Sequence, residues 1–446
     1  MRIKGWIMPG AKIKRWCLLL VAGLTLICFC IIFILNNYSR GAFYIVLMSI
    51  LALLGVTSVL ISLKALINSL LSASSNNNIN TLYSNGLNNL LHEKRILVKG
   101  PKIVAVGGGT GLSTMLRGLK QYSSNLTALV TVADDGGGSG VLREDLGMLP
   151  PGDIRNCILA LADTEPIMQK LLQYRFQDGM LKGQSFGNLF LAAMDGISDS
   201  FEEAVKKMSD VLAVTGTVLP ITLDDVRLCA ETDNGNTILG EFNIGHRSLN
   251  DKERINKVYF NQSNVKPLSE AIEAITDADI VVLGPGSLYT SIIPNLLVDG
   301  VCDALQKTKA IIVYVCNVMT QPCETDGYTL SDHIKAIEKH SKKGLIDYCV
   351  VNTAPIPNEM RERYLLDGAE LVKVDSEIVE KMGIEIITGD FKSVNNNLVR
   401  HDSNKLAKKI IELVSELVLA RDKDRVLDYY YAKARLNNNT QSLGVK

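Results

Sequence analysis

The sequence predicts an α/β protein with a Rossmann-like, doubly wound and mostly parallel sheet, preceded by a two-helix transmembrane hairpin. Three observations predict this architecture. Short apolar runs, such as residues 102–106 (KIVAV), end in glycine-rich turns that lead into helical periodicity. Strand-like and helical segments then alternate along most of the chain, which is typical of a parallel sheet covered by helices. Two long uncharged apolar runs lie near the N-terminus.

The two apolar runs, residues 17–35 and 42–63, are each close to the roughly 20 residues that cross a bilayer. Five basic residues precede the first run, and Arg40 alone lies between the two. The positive-inside rule therefore places both ends of the hairpin in the cytoplasm. A cleaved signal peptide is the alternative, but this run is longer than a typical signal core and a second run follows it. We predict a two-span membrane protein whose remaining chain faces the cytoplasm.

The domain organisation follows from these segments. Residues 1–70 form the predicted hairpin, and residues 71–95 form a polar linker rich in Ser and Asn. The Rossmann-like nucleotide-binding domain spans residues 96–420, and residues 421–446 contain a C-terminal helix and a tail predicted to be disordered from residue 437.

Composition excludes some functions. Lys plus Arg and Asp plus Glu both number 47, so no global positive charge attracts nucleic acid non-specifically, and we expect no nucleic-acid partner. The nine cysteines include no C-x-x-C pair, which indicates a reducing compartment and no structural zinc site.

Individual elements are predicted from periodicity. Residues 218–242 differ from the rest, because short β segments around the turn Asp233-Asn234-Gly235 indicate an antiparallel insert. The predicted helices are residues 112–120, 331–340 and 404–418. The predicted strands are residues 102–106, 126–133, 280–283, 310–315, 348–352 and 385–388.

The first candidate site is the turn Gly107, Gly108, Gly109, Thr110 and Gly111, where a strand leads into a helix. Glycines let the backbone approach a phosphate, and the helix N-terminus favours negative charge. The turn is not a Walker A loop, and Leu112 interrupts the dinucleotide fingerprint. A tight structural turn is the alternative.

The second candidate site follows the second strand, where Asp134 and Asp135 precede the run Gly136 to Gly140. An acid at this position of a doubly wound fold reaches a ribose hydroxyl or a metal ion, so both aspartates are also candidate metal ligands. Gly137, Gly138 and Ser139 permit the close approach of a ligand. The alternative is a flexible loop with solvated carboxylates.

The third candidate site is the Pro/Gly turn that contains Asp153, Arg155 and Asn156. Asp153 is the predicted N-cap of a helix. Arg155 is a cation at the positive end of that helix, which a bound phosphate or carboxylate would explain.

The fourth candidate site is Gly284, Pro285, Gly286 and Ser287, between a buried strand and a helix. The switch-point rule places this turn on the same sheet edge as the first glycine turn. The alternative is an ordinary strand-to-helix connection.

Several motifs together resemble the bacterial gluconeogenesis-factor family, which is related to 2-phospho-L-lactate transferase. The resemblance runs from about residue 102 to about residue 417. It rests on GGGTGLSTMLRGLK, VTVADDGGGSGVLRED, PPGDIRNCILALAD, SFGNLF, ADIVVLGPGSLYTSIIPNLL and NVMTQPCETDGY.

The resemblance implies binding of a UDP-sugar such as UDP-N-acetylglucosamine, and a role in cell shape and wall-precursor supply during gluconeogenic growth. It implies that Gly109, Thr110 and Gly111 contact phosphate and that Asp134 and Asp135 contact ribose or a metal, with Mg²⁺ as the candidate ion. Asn188, the turn from Gly284 to Ser287, and Arg400 would complete the pocket. A homodimer and a protein partner in wall-precursor synthesis stay open.

Three positions depart from the family pattern. Gln184 replaces a histidine, Gly138 replaces a serine, and Cys323 replaces a glycine. These changes weaken any acid/base role but leave a binding role intact. The hairpin is an addition to the pattern of the soluble relatives.

Two functions of different classes therefore compete. The first is a membrane-tethered UDP-sugar-binding regulator without turnover. The second is a Mg²⁺-dependent transferase that moves a phosphoryl, nucleotidyl or phospholactyl group. NAD-dependent oxidoreduction is disfavoured by the incomplete dinucleotide fingerprint.

Overall fold

The computed structural model describes residues 13–36, 42–74, 97, 100–164, 166–247, 253–395, 398–422, 425, 428–430, 432–433 and 435–436. The chain divides into two compact units, Met1–Glu93 and Lys94–Lys446. Most of the predicted linker and the tail from residue 437 lie outside the described residues.

The first unit consists of two helices, α1 (Ile13–Asn36) and α2 (Ala42–Ser74). They pack closely where small residues meet, because a Cβ on Gly23 would lie 3.0 Å from the Gly55 carbonyl oxygen. By length and composition, Val46–Lys64 of α2 could cross a membrane, whereas the apolar stretch described in α1, Leu19–Phe33, is shorter than a span.

The second unit is built on a seven-stranded sheet in which every pairing is parallel, in the order β10-β9-β8-β7-β1-β2-β3. The strands are β1 (Ile103–Gly107), β2 (Leu126–Val130), β3 (Thr217–Pro220), β7 (Ile280–Leu283), β8 (Ile311–Val315), β9 (Tyr348–Asn352) and β10 (Glu385–Gly389). The α/β class with a Rossmann-like parallel sheet is thereby confirmed.

The strand order reverses between β1 and β7, which are neighbours in the sheet although far apart in sequence. From β1 the chain winds outward through β2 and β3, and from β7 it winds outward on the other side through β8, β9 and β10. This is the topological switch point of a doubly wound sheet, where the loops after the two central strands leave a crevice.

Helices connect the strands. They are α3 (Gly109–Leu119), α4 (Gly137–Leu146), α5 (Gly152–Leu161), α6 (Pro166–Gln173), α7 (Phe186–Gly196), α8 (Phe201–Val211), α9 (Glu241–Gly245), α10 (Ser269–Thr276), α11 (Ile293–Leu296), α12 (Val301–Lys307), α13 (Leu330–His340), α14 (Asn358–Leu366), α15 (Ser376–Lys381) and α16 (Ser403–Leu417). A π-helical turn covers Leu288–Ile292, and a 3₁₀ turn covers Leu419–Arg421.

The hydrophobic core lies around the central strands. All residues of β1 and β7 are buried, which matches the continuous apolar runs that parallel strands require. One face of α3 buries Leu112, Met115, Leu116 and Leu119. This packing fixes the start of α3, and hence the first glycine turn, against the end of β1.

The predicted antiparallel insert is correct only in its second half. β4 (Leu228–Thr232) pairs antiparallel with β5 (Thr237–Leu239) around the Asp233-Asn234-Gly235 turn, but also with β6 (Ile255–Phe260), which the sequence did not predict. The residues from Thr217 instead form β3, an edge strand of the main sheet paired with β2. Parallel pairing with a distant strand leaves no local signal, which is why this segment was misassigned.

A second small element lies near the C-terminal end. β11 (Lys392–Asn395) and β12 (Leu398–His401) form an antiparallel hairpin directly before α16. The hairpin was not predicted, and it positions Arg400.

Candidate functional site

The first glycine turn connects β1 to α3 with very little space around it. Gly109 has φ +64°, a left-handed conformation that favours glycine. A Cβ on Gly111 would lie 2.5 Å from the carbonyl oxygen of Pro285. Glycine at position 111 therefore lets the first and fourth turns touch each other backbone to backbone.

The fourth turn connects β7 to the π-helical turn. The Gly284-Pro285 peptide bond is cis, and Gly284 has φ +82°. The Asn317 side-chain amide donates to the Gly286 carbonyl at 2.8 Å, and the Ser287 hydroxyl donates to Gln321 Oε1 at 2.7 Å. Neighbouring side chains thus hold this turn in place before any ligand binds.

Between the two turns lies a cleft of about 200 Å³, which we call the glycine cleft. It brings together Thr110, Gly111, Pro285, Gly286, Ser287 and Arg400, which the sequence proposed from three separate segments. Its walls also include six residues that were not among the predicted site residues: Thr114, Asn317, Val318, Met319, Val399 and His401.

The electrostatics of the glycine cleft favour an anion. The N-cap residues of α3 and of the π-helical turn, Gly108 and Ser287, make no side-chain cap, but the Asp153 carboxyl accepts from the Gly109 amide and the Glu324 carboxyl accepts from the Tyr289 amide. The other N-terminal amides of α3 carry partial positive charge, which favours a phosphate oxygen. Arg400 adds a full charge, and it forms no ion pair with any carboxylate in the described part of the chain.

The second glycine-rich segment is placed differently. Gly137, Gly138 and Ser139 form the first turn of α4, and a Cβ on Gly138 would lie 2.8 Å from Gln184 Oε1. Asp134 Oδ1 accepts from the Gly136 amide at 3.0 Å, whereas Asp135 Oδ1 accepts from the Phe242 amide at 2.8 Å. The two aspartates therefore accept hydrogen bonds from different segments of the chain.

The prediction that Asp153 is an N-cap is wrong. Pro151 occupies that position in α5, and Asp153 lies inside the first turn because the helix begins at Gly152. Its carboxyl instead accepts from the Gly109 amide, and its Oδ2 lies 2.5 Å from where a Cβ on Gly108 would stand. The Asp153 side chain therefore packs against the first glycine turn and accepts a hydrogen bond from it.

Arg155 is buried and already engaged. Its Nη1 donates to the Ser185 hydroxyl at 2.9 Å and its Nη2 to Asn156 Oδ1 at 2.8 Å. The buried Asn188 lies one helical turn beyond Ser185, whose hydroxyl accepts from the Asn188 amide at 3.2 Å. Neither Arg155, Asn156 nor Asn188 lines the glycine cleft.

Acidic side chains converge beside this region. Burial and the neighbouring Asp134 raise the pKa of Asp153 to about 7, and burial with four nearby carboxylates raises the pKa of Glu241 to about 8. Burial also raises the pKa of Glu324 to about 7 and the pKa of Asp134 above its usual value. Glu241 was not predicted as a site residue, because it lies after β5 in a segment without a recognisable motif.

The described carboxylate side chains do not by themselves form a metal site. Among the described residues, no three or more His, Cys, Asp or Glu side chains are grouped so that they could hold a metal ion. The pair Asp134 and Asp135 therefore stays a prediction as a metal site.

Comparison with known proteins identifies the family of this chain. The profile described as 2-phospho-L-lactate transferase CofD matches residues 103–392. The chain belongs to the CofD family. Proteins similar to the chain include gluconeogenesis factors. The family match includes every predicted site residue except Arg400, which lies beyond residue 392.

Two relatives show how far the similarity extends. A gluconeogenesis-factor relative from Clostridium acetobutylicum is 51% identical over 445 residues, or 98% of each chain. The gluconeogenesis factor of Bacillus subtilis is 46% identical over 317 residues, which are 71% of this chain and 99% of that protein. The first relative therefore matches nearly the whole chain, whereas the second matches 71% of it over nearly its own full length.

A solved structure agrees with the fold. The crystal structure of a UPF0052-family protein from Bacillus halodurans superimposes with a TM-score of 0.66 at 43% identity, covering 69% of this chain and 98% of that one.

Proposed function

We propose that this CofD-family protein is a membrane-tethered regulator that binds a UDP-sugar, UDP-N-acetylglucosamine, and acts in cell shape and wall-precursor supply during gluconeogenic growth. Its relatives' description as gluconeogenesis factors supports the physiological setting. The observation that carries the proposal is the contact of two glycine-rich turns at the switch point, with Thr110, Gly111 and Arg400 lining one cleft.

The glycine cleft has separate places for the parts of such a ligand. The amides of Thr110 and Gly111 lie at the open end of α3, where a phosphate oxygen would accept from them. Val318, Met319 and Val399 supply an aliphatic wall against which a flat base can pack.

Calorimetric titration of the full-length chain in detergent with UDP-N-acetylglucosamine tests the proposal. We expect saturable binding that falls by at least about tenfold, or about 1.4 kcal/mol, in Thr110→Arg, which fills the cleft. Thr276→Arg, at an exposed position at the end of α10, is the matched control and should bind normally. Absence of binding by the wild-type protein would refute the proposal.

The membrane attachment is part of the same proposal. We infer a two-span hairpin with the α/β domain in the cytoplasm, supported by the apolar α2, the close α1–α2 packing at Gly23 and the basic residues before residue 17. In spheroplasts, a C-terminal tag should resist protease until the membrane is permeabilised. Cleavage of the tag in intact spheroplasts would overturn the topology.

The acidic cluster favours a second candidate function, a Mg²⁺-dependent transferase of phosphorus-containing groups. Burial raises the pKa values of Asp134, Asp153 and Glu241, and Asp134 further raises those of the other two, so a cation bound by one or two of these carboxyl groups would lower them. Because Mg²⁺ often binds through one or two carboxylates plus substrate phosphates, the ion would depend on the nucleotide.

Product analysis separates the two candidates. The protein is incubated with UDP-N-acetylglucosamine and Mg²⁺ and followed by ³¹P NMR. A regulator leaves the ligand intact, whereas new phosphorus resonances that disappear in Asp134→Asn would establish the transferase.

Two further experiments test the proposed assembly. Light scattering of the purified protein tests the homodimer. Co-purification with enzymes of wall-precursor synthesis tests the protein partner.

A further inference from the structure

The helix α6 contributes little to the hydrophobic core. Of its eight residues, only Leu172 is buried. Ile167 and Leu171, which are one helical turn apart, are 74% and 43% exposed, and the neighbouring Met168 is exposed as well. Because three large apolar side chains of one short helix face away from the core, this face indicates a surface that something outside the domain covers.

The chain after α6 extends this surface with a loop, residues 174–186, which we call the finger. Backbone hydrogen bonds join its two arms, from the Phe176 amide to the Gln184 carbonyl and from the Gly183 amide to the Phe176 carbonyl, both at 2.9 Å. Met180 lies at the tip and is fully exposed. A convex loop of this kind offers no cavity for a small ligand, but its apolar tip can enter a soft surface.

Basic residues accompany these apolar side chains. Residues 166–184 contain Lys170, Arg175 and Lys182, against a single acid, Asp178. In the described part of the chain, none of the three basic side chains forms an ion pair with a carboxylate. Exposed apolar groups combined with unpaired cations are the composition that binds the interface of an anionic bilayer.

The proposed membrane hairpin keeps such a bilayer within reach. Even when fully extended, the chain from Ser74 to Leu97 spans at most about 80 Å. A domain tethered to a membrane meets the lipid surface at a high effective concentration, so a patch with weak intrinsic affinity is sufficient. A separate protein partner would have to bind the same few side chains without that advantage.

We propose that α6 and the finger dock the α/β domain on an anionic lipid surface. The inference rests on the proposed membrane attachment and adds the face by which the domain meets the bilayer. Met180 and Ile167 enter the boundary between the headgroups and the acyl chains. Lys170 and Lys182 keep their ammonium groups at the level of the lipid phosphates.

A tryptophan at the tip of the finger reports insertion. Full-length Met180→Trp is reconstituted into vesicles of phosphatidylcholine and phosphatidylglycerol, with and without brominated acyl chains. Leu366→Trp is the matched control, because Leu366 is also apolar and is 85% exposed, but it ends α14, between β9 and the edge strand β10. The wild-type protein supplies the background from Trp6 and Trp16.

We expect the added fluorescence of Met180→Trp to shift to shorter wavelength and to be quenched by brominated lipid, whereas that of Leu366→Trp does neither. In the Met180→Trp background, Lys170→Gln should lower the ratio of docked to free domain about fivefold, which corresponds to about 1 kcal/mol per basic residue at an anionic surface. Lys381→Gln, at an exposed position at the end of α15, should leave that ratio unchanged.

Three outcomes would count against parts of this picture. Equal quenching of Met180→Trp and Leu366→Trp, or quenching of neither, would overturn the docking face. A shift without quenching that grows with the number of protein molecules per vesicle would overturn it in favour of a second copy of this chain. A protein that washes off the vesicles at high salt and alkaline pH would instead end the proposed membrane attachment.

A second measurement uses the wild-type protein alone. Amide hydrogen exchange in residues 166–184 should slow by at least about fivefold in vesicles that contain phosphatidylglycerol, relative to vesicles of phosphatidylcholine alone. Exchange in residues 358–366 should be the same in both. Equal exchange of residues 166–184 in the two kinds of vesicle would contradict the proposal.

Discussion

The first and second glycine-rich segments look alike in sequence but have different roles in the structure. Each follows a buried strand and precedes a helix. The first meets the fourth turn and forms a wall of the open glycine cleft. The second does not line that cleft: Asp135 accepts from the Phe242 amide, and Gly138 lies against Gln184. Position relative to the switch point, rather than glycine content, decides which segment can receive a ligand.

The largest expected effect comes from a substitution that disrupts the first glycine turn. Gly111→Ala would place a methyl group 2.5 Å from the Pro285 carbonyl oxygen, so the two turns must separate. We expect a loss of about a hundredfold or more in UDP-N-acetylglucosamine affinity by calorimetry. The matched variant in the second segment is Gly137→Ala, whose Cβ meets nothing within 4 Å.

Gly137→Ala should cost stability rather than binding. Its φ of +48° strains an alanine by about 1 kcal/mol. Chemical denaturation should detect this loss, with affinity unchanged. If Gly137→Ala weakens binding as strongly as Gly111→Ala, the two segments act alike and the contrast is wrong.

The next effect concerns charge at the cleft. Arg400→Gln removes the cation while keeping a polar side chain, and we expect affinity to fall by about tenfold at low salt, with a smaller difference at high salt. Arg361→Gln, on the exposed face of α14, is the control and should bind normally. A salt-independent loss would indicate a packing role for Arg400 instead of charge attraction.

A smaller effect separates the two aspartates of the second segment. Asp135→Ala removes the acceptor for the Phe242 amide at the start of α9, which we expect to lower the free energy of unfolding by about 1 kcal/mol. Affinity should change by less than about twofold. Loss of binding in Asp135→Ala without loss of stability would place this carboxylate in the ligand site.

The last prediction concerns the pH dependence of stability, where no change in ligand affinity is used as the readout. The pKa of Asp153 is about 7 in the folded protein, against 3.8 for the unperturbed group. The folded state therefore holds a proton that the unfolded state has released, so stability falls as pH rises between these values. Asp153→Asn should remove up to about 1.4 kcal/mol per pH unit of that slope in denaturation curves from about pH 5 to about pH 7. An unchanged slope would mean that Asp153 is ionised in the fold.

The sequence by itself determined the class of fold and the turns that matter. Continuous apolar runs such as β1 and β7 suit only strands buried on both faces, and glycines directly after them allow the backbone to approach a phosphate. The α/β assignment, the strands on either side of the switch point and the family resemblance all follow from such local signals.

Tertiary structure alone decided which residues share a site. Thr110, Ser287 and Arg400 belong to segments separated by more than a hundred residues, and only the parallel pairing of β1 with β7 and the hairpin before α16 bring them together. Asp153 was misassigned as a cap because the helix begins at Gly152, with Pro151 as its N-cap. Glu241 was not predicted because its raised pKa depends on burial and on carboxylates that are distant in sequence. Local preferences act over a few residues, whereas burial and charge act through space, so the chemistry of the site is fixed only when the chain has folded.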